Sequence, residues 1–251
     1  MAISLASIVR RAKPKPPRVV IFGVHGVGKT SFASCAPNPI FIQTEDGLSN
    51  IEAPSFGLLK TYDEVMEAIG SLYSEAHDFQ TLVVDSLDWL EPLVAAHVAK
   101  SNNWQNLETP GYGKGYLAAA EAWRVILDGL NALRDERNMT IIATAHSKIV
   151  RFEAPDTEPY SRYVMKLHDR VTALVSENCD VLAFANYRTT VVKADAGFGK
   201  KATRGVGSGE RLLFTEERPG FTAKQRYNLP DTLPLDWQQF AAGIPYFATQ
   251  E

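Results

Sequence analysis

Gly23-Val24-His25-Gly26-Val27-Gly28-Lys29-Thr30 sets glycines, a lysine and a hydroxyl at the spacing G-x-x-x-x-G-K-[ST], directly after the apolar run Val19-Val20-Ile21-Phe22. Glycines at these places let the backbone curl until consecutive N–H groups face a polyphosphate, and the positive end of the following helix adds to that field. In such a loop Lys29 reaches the β- and γ-phosphate oxygens and the Thr30 hydroxyl ligates Mg²⁺, with Gly23 through Ser31 lining the nucleotide. A strand signal before the motif and a helix from Thr30 to Cys35 after it favour this reading over a chance glycine-rich turn.

The acids follow a related logic. Thr81-Leu82-Val83-Val84-Asp85-Ser86 is an apolar strand ending in a carboxylate, the arrangement that places Asp85 beside Mg²⁺ and its waters. The alternative for Asp85 is a turn acid or helix cap. Many P-loop motors carry a Glu directly after this Asp to polarise water, but here the position is Ser86, so the base must come from elsewhere. The strand Pro39 to Gln43 runs into Thr44-Glu45-Asp46, and acids at its carboxyl end open onto the ligand crevice of an α/β sheet. Glu45 is the leading base candidate, with Asp46 and Asp88 behind it. Thr140 to Ala145 delivers His146 to the same edge, where a polar residue either senses the γ-phosphate or serves a structural role. Late in the chain, Lys224-Gln225-Arg226 follows a strand and the turn Arg218-Pro219-Gly220. Extended residues two apart point the same way. Lys224 and Arg226 are therefore either surface cations or a pair supplied to a neighbouring subunit's phosphates.

These groups need a scaffold that brings strand ends together. Strand signals recur at Val19 to Phe22, Pro39 to Gln43, Thr81 to Asp85, Thr140 to Ala145, Asp180 to Asn186 and Arg211 to Thr215, and helical periodicity lies at Tyr62 to Tyr73 and Tyr116 to Arg137. Alternating strands and helices predict an α/β P-loop fold, a mostly parallel sheet flanked by helices, with a late β-rich carboxyl-terminal segment. The chain of 251 residues suits one such core, residues 18–251, preceded by an apolar stub and a basic, proline-rich arm at residues 1–17. The arm is either a solvated tail or a tether onto a neighbour.

With 45% hydrophobic and 22% charged residues the composition excludes wholesale disorder, and a net charge of −3 argues against a general nucleic-acid coat. Cys35 and Cys179 are too few for a disulfide framework or zinc site. No secretion signal or membrane span is evident, so a cytoplasmic location is expected. Ser101 to Gly115, Ser147 to Tyr163 and Gly197 to Arg211 interrupt the βα rhythm as expected long loops. The first two interleave aromatics and cations: Trp104, Tyr112 and Lys114 in one, Lys148, Arg151, Phe152 and Arg162 in the other. That mixture stacks bases while tracking phosphates, and it also occurs on ordinary surfaces.

Taken together, Gly23 to Thr30, Phe41 to Leu48, Leu82 to Ser86, Ile141 to Ser147 and Phe214 to Pro230 resemble the ATPase core of the RecA-like family. More narrowly they resemble the short phage-encoded RecA-like ATPases of single-strand annealing. The resemblance implies a RecA-like, Mg²⁺-dependent ATPase in which Glu45 activates water and His146 replaces a sensor commonly found as Gln. It further implies that Lys224 and Arg226 act across a subunit boundary, and that the loops at 101–115 and 147–163 face a central DNA strand. The partners it implies are single-stranded DNA, further copies of the chain in a filament or ring, and a single-strand-binding protein, with no membrane. A nucleotide-dependent binding module with incidental turnover is the second reading. A phosphotransferase or GTPase ranks last, since no N-K-x-D sequence occurs.

Overall fold

The runs Val19-Val20-Ile21-Phe22 and Leu82-Val83-Val84 are apolar at every position, which requires a strand covered on both faces. The computed structural model describes residues 14–48, 51–195 and 201–248. In chain order its elements are β1 (Arg18–Gly23), α1 (Lys29–Ser34), β2 (Pro39–Gln43), β3 (Ser55–Leu58), α2 (Tyr62–Ser74), β4 (Thr81–Asp85), α3 (Leu87–Ser101) and α4 (Lys114–Glu136). They continue as β5 (Thr140–Ala154), β6 (Thr157–Met165), α5 (Asp169–Asn178), β7 (Val181–Asp195), β8 (Lys201–Phe214), β9 (Lys224–Gln225), β10 (Thr232–Pro234), α6 (Trp237–Ala242) and α7 (Pro245–Ala248).

The sheet runs in the order β10-β8-β7-β1-β5-β4-β2-β3, with β6 bonded to β5 and β9 to β7. Strands from β7 across to β3 are parallel. The late strands β8, β9 and β10 are antiparallel, as is β6. This is the predicted α/β architecture with its β-rich carboxyl-terminal segment.

Side chains alternate across each strand. Val20, Phe22, Leu82 and Val84 pack under α2, α3, α4 and α5, while Val19, Ile21, Phe41 and Val83 meet Phe32 of α1 and Trp237 and Phe240 of α6. On α4, Trp123, Ile126, Leu130 and Leu133 keep helical spacing and are all buried. Each such side chain contributes about 1.5–3 kcal/mol relative to exposure.

Register brings the polar strand ends level. Gly23 pairs with His146 on one side and Ala185 on the other, and Gln43 pairs with Asp85. The close packing depends on glycine: a Cβ at Gly23 would lie 2.1 Å from the Ala185 carbonyl oxygen.

Two of the three expected loops are corrected, and the third stays irregular between α3 and α4. Ser147 to Tyr163 is the β5–β6 hairpin, in which Ser147 pairs with Met165 and Phe152 with Tyr160. The hairpin continues past the parallel sheet and has little core face to bury. Its polar residues therefore read as loop in the sequence. Most of the segment expected at Gly197 to Arg211 is strand β8 paired with β7, and Lys200 lies outside the described residues. Ser101 to Gly115 folds into tight turns and the start of α4, with Leu107 backbone where a Gly115 side chain would stand. The apolar stub falls outside the described residues, whereas the end of the arm lies on α4, Lys15 pairing with Asp135 at 2.8 Å and the Pro16 carbonyl accepting from Arg134 at 2.6 Å. Among the described residues no helix is long and apolar enough to cross a membrane.

Gly23→Ala is expected to push β1 from β7 and lower the unfolding free energy by about 1–3 kcal/mol. Urea denaturation checks this, and an unchanged midpoint would contradict the close approach.

Candidate functional site

The phosphate loop joins β1 to α1. Gly26 and Gly28 adopt φ of 70° and 105°, the left-handed region that favours glycine, and α1 begins at Lys29 directly after. Lys29 is buried and its Nζ donates to the carbonyls of Val24 (3.1 Å) and Gly23 (3.4 Å). Burial pushes its pKa down, and the charges of Asp85, Asp88 and Glu45 oppose that. The adjoining pocket, about 450 Å³, is lined by Gly28, Lys29, Thr30, Glu45, Asp85 and His146 among others, with Ser31 and His25 at its wall.

Asp85 ties the loop to the sheet. One carboxylate oxygen accepts from Thr30 Oγ1 at 2.9 Å and the other from Thr144 Oγ1. A hydroxyl and a carboxylate side by side are hard oxygen donors that suit Mg²⁺, which fills its remaining positions with water and phosphate oxygens. Thr30 and Asp85 are the residues that would hold it. The Asp85–Ser86 peptide is cis.

A second set of polar groups lies beside them. Ser86 Oγ is within hydrogen-bond reach of Glu45 Oε2 (3.1 Å) and Asp88 Oδ1 (3.0 Å). Asp88, with a side chain 1% exposed, accepts from the backbone N–H of His146 (2.9 Å) and meets its Nδ1 at 3.0 Å. His146 Nδ1 is 3.8 Å from Glu45, and its ring stacks on His25 of the phosphate loop with centroids 3.9 Å apart. Burial pushes the Asp88 carboxyl up, but the hydrogen bonds from His146 and Ser86 prevail and hold it at about 2. His25 is lowered, first by the charge of neighbouring His146 and then by burial.

The structure therefore brings Lys29, Thr30, Glu45, Asp85 and His146 together. Of the other base candidates, Asp46 is exposed and Asp88 is engaged by His146 and Ser86. Lys224 and Arg226 do not join the chain's own pocket. They flank the amino end of β7, and Arg226 bonds to Asp180 at 3.1 Å. Asp180 also meets Arg18 at 3.0 Å and Arg134 at 3.6 Å, so a buried acid gathers three arginines, Arg226 among them, at the edge opposite the phosphate pocket.

The expected DNA contacts divide. Tyr112 is fully exposed, and Lys114 and Arg151 are exposed, Arg151 pairing with Glu153 at 3.0 Å. Trp104 instead packs against the core, and Lys148 donates to the Leu167 carbonyl at 2.7 Å. Arg162 is 7% exposed, pairs with Glu217 and lies over the Phe152 ring at 4.7 Å. Apolar aromatic surface and a nearby acid captured these side chains, which sequence reasoning had placed in open loops.

Sequence reasoning missed Arg211. It lines the phosphate pocket, and its Nη1 is 3.0 Å from where a Gly28 side chain would begin. Its guanidinium makes no ion pair among the described residues. No motif marks it; the signal is the pairing of β8 with β7 beyond β1. Nearby, Tyr187 of β7 donates to the Gly26 carbonyl at 3.0 Å.

A family model described as an AAA domain matches residues 15–227, most of the chain, and the chain belongs to that family. No curated protein matches it. The domain is a P-loop ATPase domain, which implies nucleotide binding, typically with Mg²⁺.

The depressed Asp88 value makes stability depend on pH. Its contribution, roughly 2 kcal/mol, is full above about pH 4 and lost as pH falls toward 2. The stability gap between wild type and Asp88→Asn should therefore narrow over that range, and a gap in urea midpoints independent of pH would sink the assignment. Arg211→Ala should weaken ATP binding by about tenfold or more, the loss of a charge-assisted contact; calorimetric titration showing unchanged Kd would remove Arg211 from the site.

Proposed function

We propose that this AAA-domain ATPase hydrolyses ATP with Mg²⁺ while assembled on single-stranded DNA, in recombination or strand annealing, as its RecA-like resemblance implies. One observation carries the DNA part. The strand β5 that presents His146 to the phosphate pocket leaves the sheet as the hairpin bearing exposed Ile149 and Arg151. A displacement at His146 thus has a continuous, hydrogen-bonded route to an outward-facing element.

In the reaction Lys29 positions the phosphates, and Mg²⁺, when bound, supplies charge neutralisation at Thr30 and Asp85. Glu45 lines the pocket and its side chain is 28% exposed, so water reaches it. Ser86 engages Oε2, and the Glu45 carboxylate accepts the proton of the attacking water. His146 reads the filled pocket and passes its state to Asp88 and along β5. Lys224 and Arg226, at the far edge, reach phosphates only in a neighbouring copy, in keeping with a filament or ring. A single-strand-binding protein would share the DNA.

ATP hydrolysis measured across a single-stranded DNA titration at fixed ionic strength tests this reading. Wild type should be stimulated, Lys29→Ala should lose turnover, and Glu45→Gln should keep ATP binding while kcat falls by about 10²–10⁴. Lys29-dependent turnover indifferent to DNA would favour a nucleotide-dependent binding module.

A further inference from the structure

A second cavity, about 540 Å³, lies between α3, α4 and α5 at the base of the β5–β6 hairpin, within the usual size of small-molecule sites. Its apolar wall includes Leu107, Ala95 and Val171. Tyr116 and His168, also in its lining, stack with centroids 4.4 Å apart and planes 11° apart, a flat aromatic surface. Trp123 adds its ring to this wall.

The charged groups are equally specific. Glu91 Oε1 accepts from the His168 backbone N–H at 2.8 Å, and burial raises the carboxyl above its ordinary range. Lys148 and Lys166 supply cations to the lining; Lys166 is about half exposed and stands 3.7 Å from Asp88. A flat stacking surface, a carboxyl group and two cations are complementary to a planar heterocycle with a hydrogen-bonding edge and an attached phosphate. An aliphatic side chain would leave the polar groups unpaired, and an isolated phosphate would leave the apolar wall unused.

We propose that this cavity receives a nucleobase, stacked on the Tyr116–His168 surface, with Lys148 and Lys166 toward its phosphate. The inference deepens the single-stranded DNA reading and rests on it for the source of the base; a free nucleotide offers the same chemistry. Asp88 lines the cavity and binds His146, which lines the phosphate pocket, so one carboxylate–imidazole contact joins the two sites. Occupancy of either site therefore bears on the other through this acid.

Fluorescence titration with 2-aminopurine tests the cavity, using a labelled single-stranded oligonucleotide and, separately, 2-aminopurine deoxynucleoside monophosphate. The phosphate pocket is first saturated with a non-hydrolysable ATP analogue. Wild type should bind both probes, and Ala95→Phe, which fills the cavity, and Tyr116→Leu, which removes the stacking surface, should each weaken binding by about tenfold or more with ATP affinity unchanged. Oligonucleotide binding that is equal in wild type and both variants, and equal for an abasic strand, would overturn the cavity assignment while leaving the DNA reading intact. Uptake of the monophosphate without the oligonucleotide would support the base site and overturn DNA as its source. Binding of neither probe would overturn both.

Discussion

The Asp85 carboxylate is the joint on which the rest of the site depends. It is nearly buried and both oxygens are taken, one by Thr30 at the start of α1 and one by Thr144 of β5. A buried carboxylate without partners would be costly. Satisfying it therefore holds the phosphate loop, β4 and β5 at one relative height, and the parallel registers deliver Glu45 and His146 to that level. Gly23 completes the arrangement by letting β1 approach β7 more closely than any side chain permits.

Around this joint the polar groups form a connected set. Thr44 and Ser86 exchange backbone and hydroxyl contacts, Ser86 reaches Glu45 and Asp88, and Asp88 grips His146. Such a network rigidifies a site only when each member is paired. Of the two acids that Ser86 reaches, Asp88 has the more buried side chain and the more partners, while Glu45 keeps an open side toward the pocket. Burial and pairing thus separate a positioning carboxylate from one free to accept a proton.

The opposite edge of the sheet uses the same physics for another end. Asp180 gathers Arg18, Arg134 and Arg226, joining the start of β1, the end of α4 and the segment after β9. This ion cluster anchors the late strands beside β7, and their docking carries Arg211 over the phosphate loop. A cation from the carboxyl-terminal part of the chain thereby meets a motif near its beginning.

Much of the site was legible because its signals are local. The phosphate loop is a contiguous pattern, and Asp85, Glu45 and His146 each follow an apolar strand, so chain connectivity alone sends them to one edge. The central parallel strands and α4 were equally legible, since burial on both faces or on one stripe writes itself into short-range periodicity. The β5–β6 hairpin was not, because a strand that leaves the core loses that periodicity. Nor were the partners of Arg162, Arg226 and Trp104, whose chemistry fits open solvent as well as a buried ion pair or aromatic wall. By itself the sequence determined the fold class, the phosphate-binding chemistry and the acids able to serve it. Tertiary structure alone decided which carboxylate is sequestered, that Arg211 joins the pocket, and that helices and hairpin leave a second cavity. Those outcomes depend on contacts between residues far apart in the chain, where packing and charge, not spacing, choose the partner.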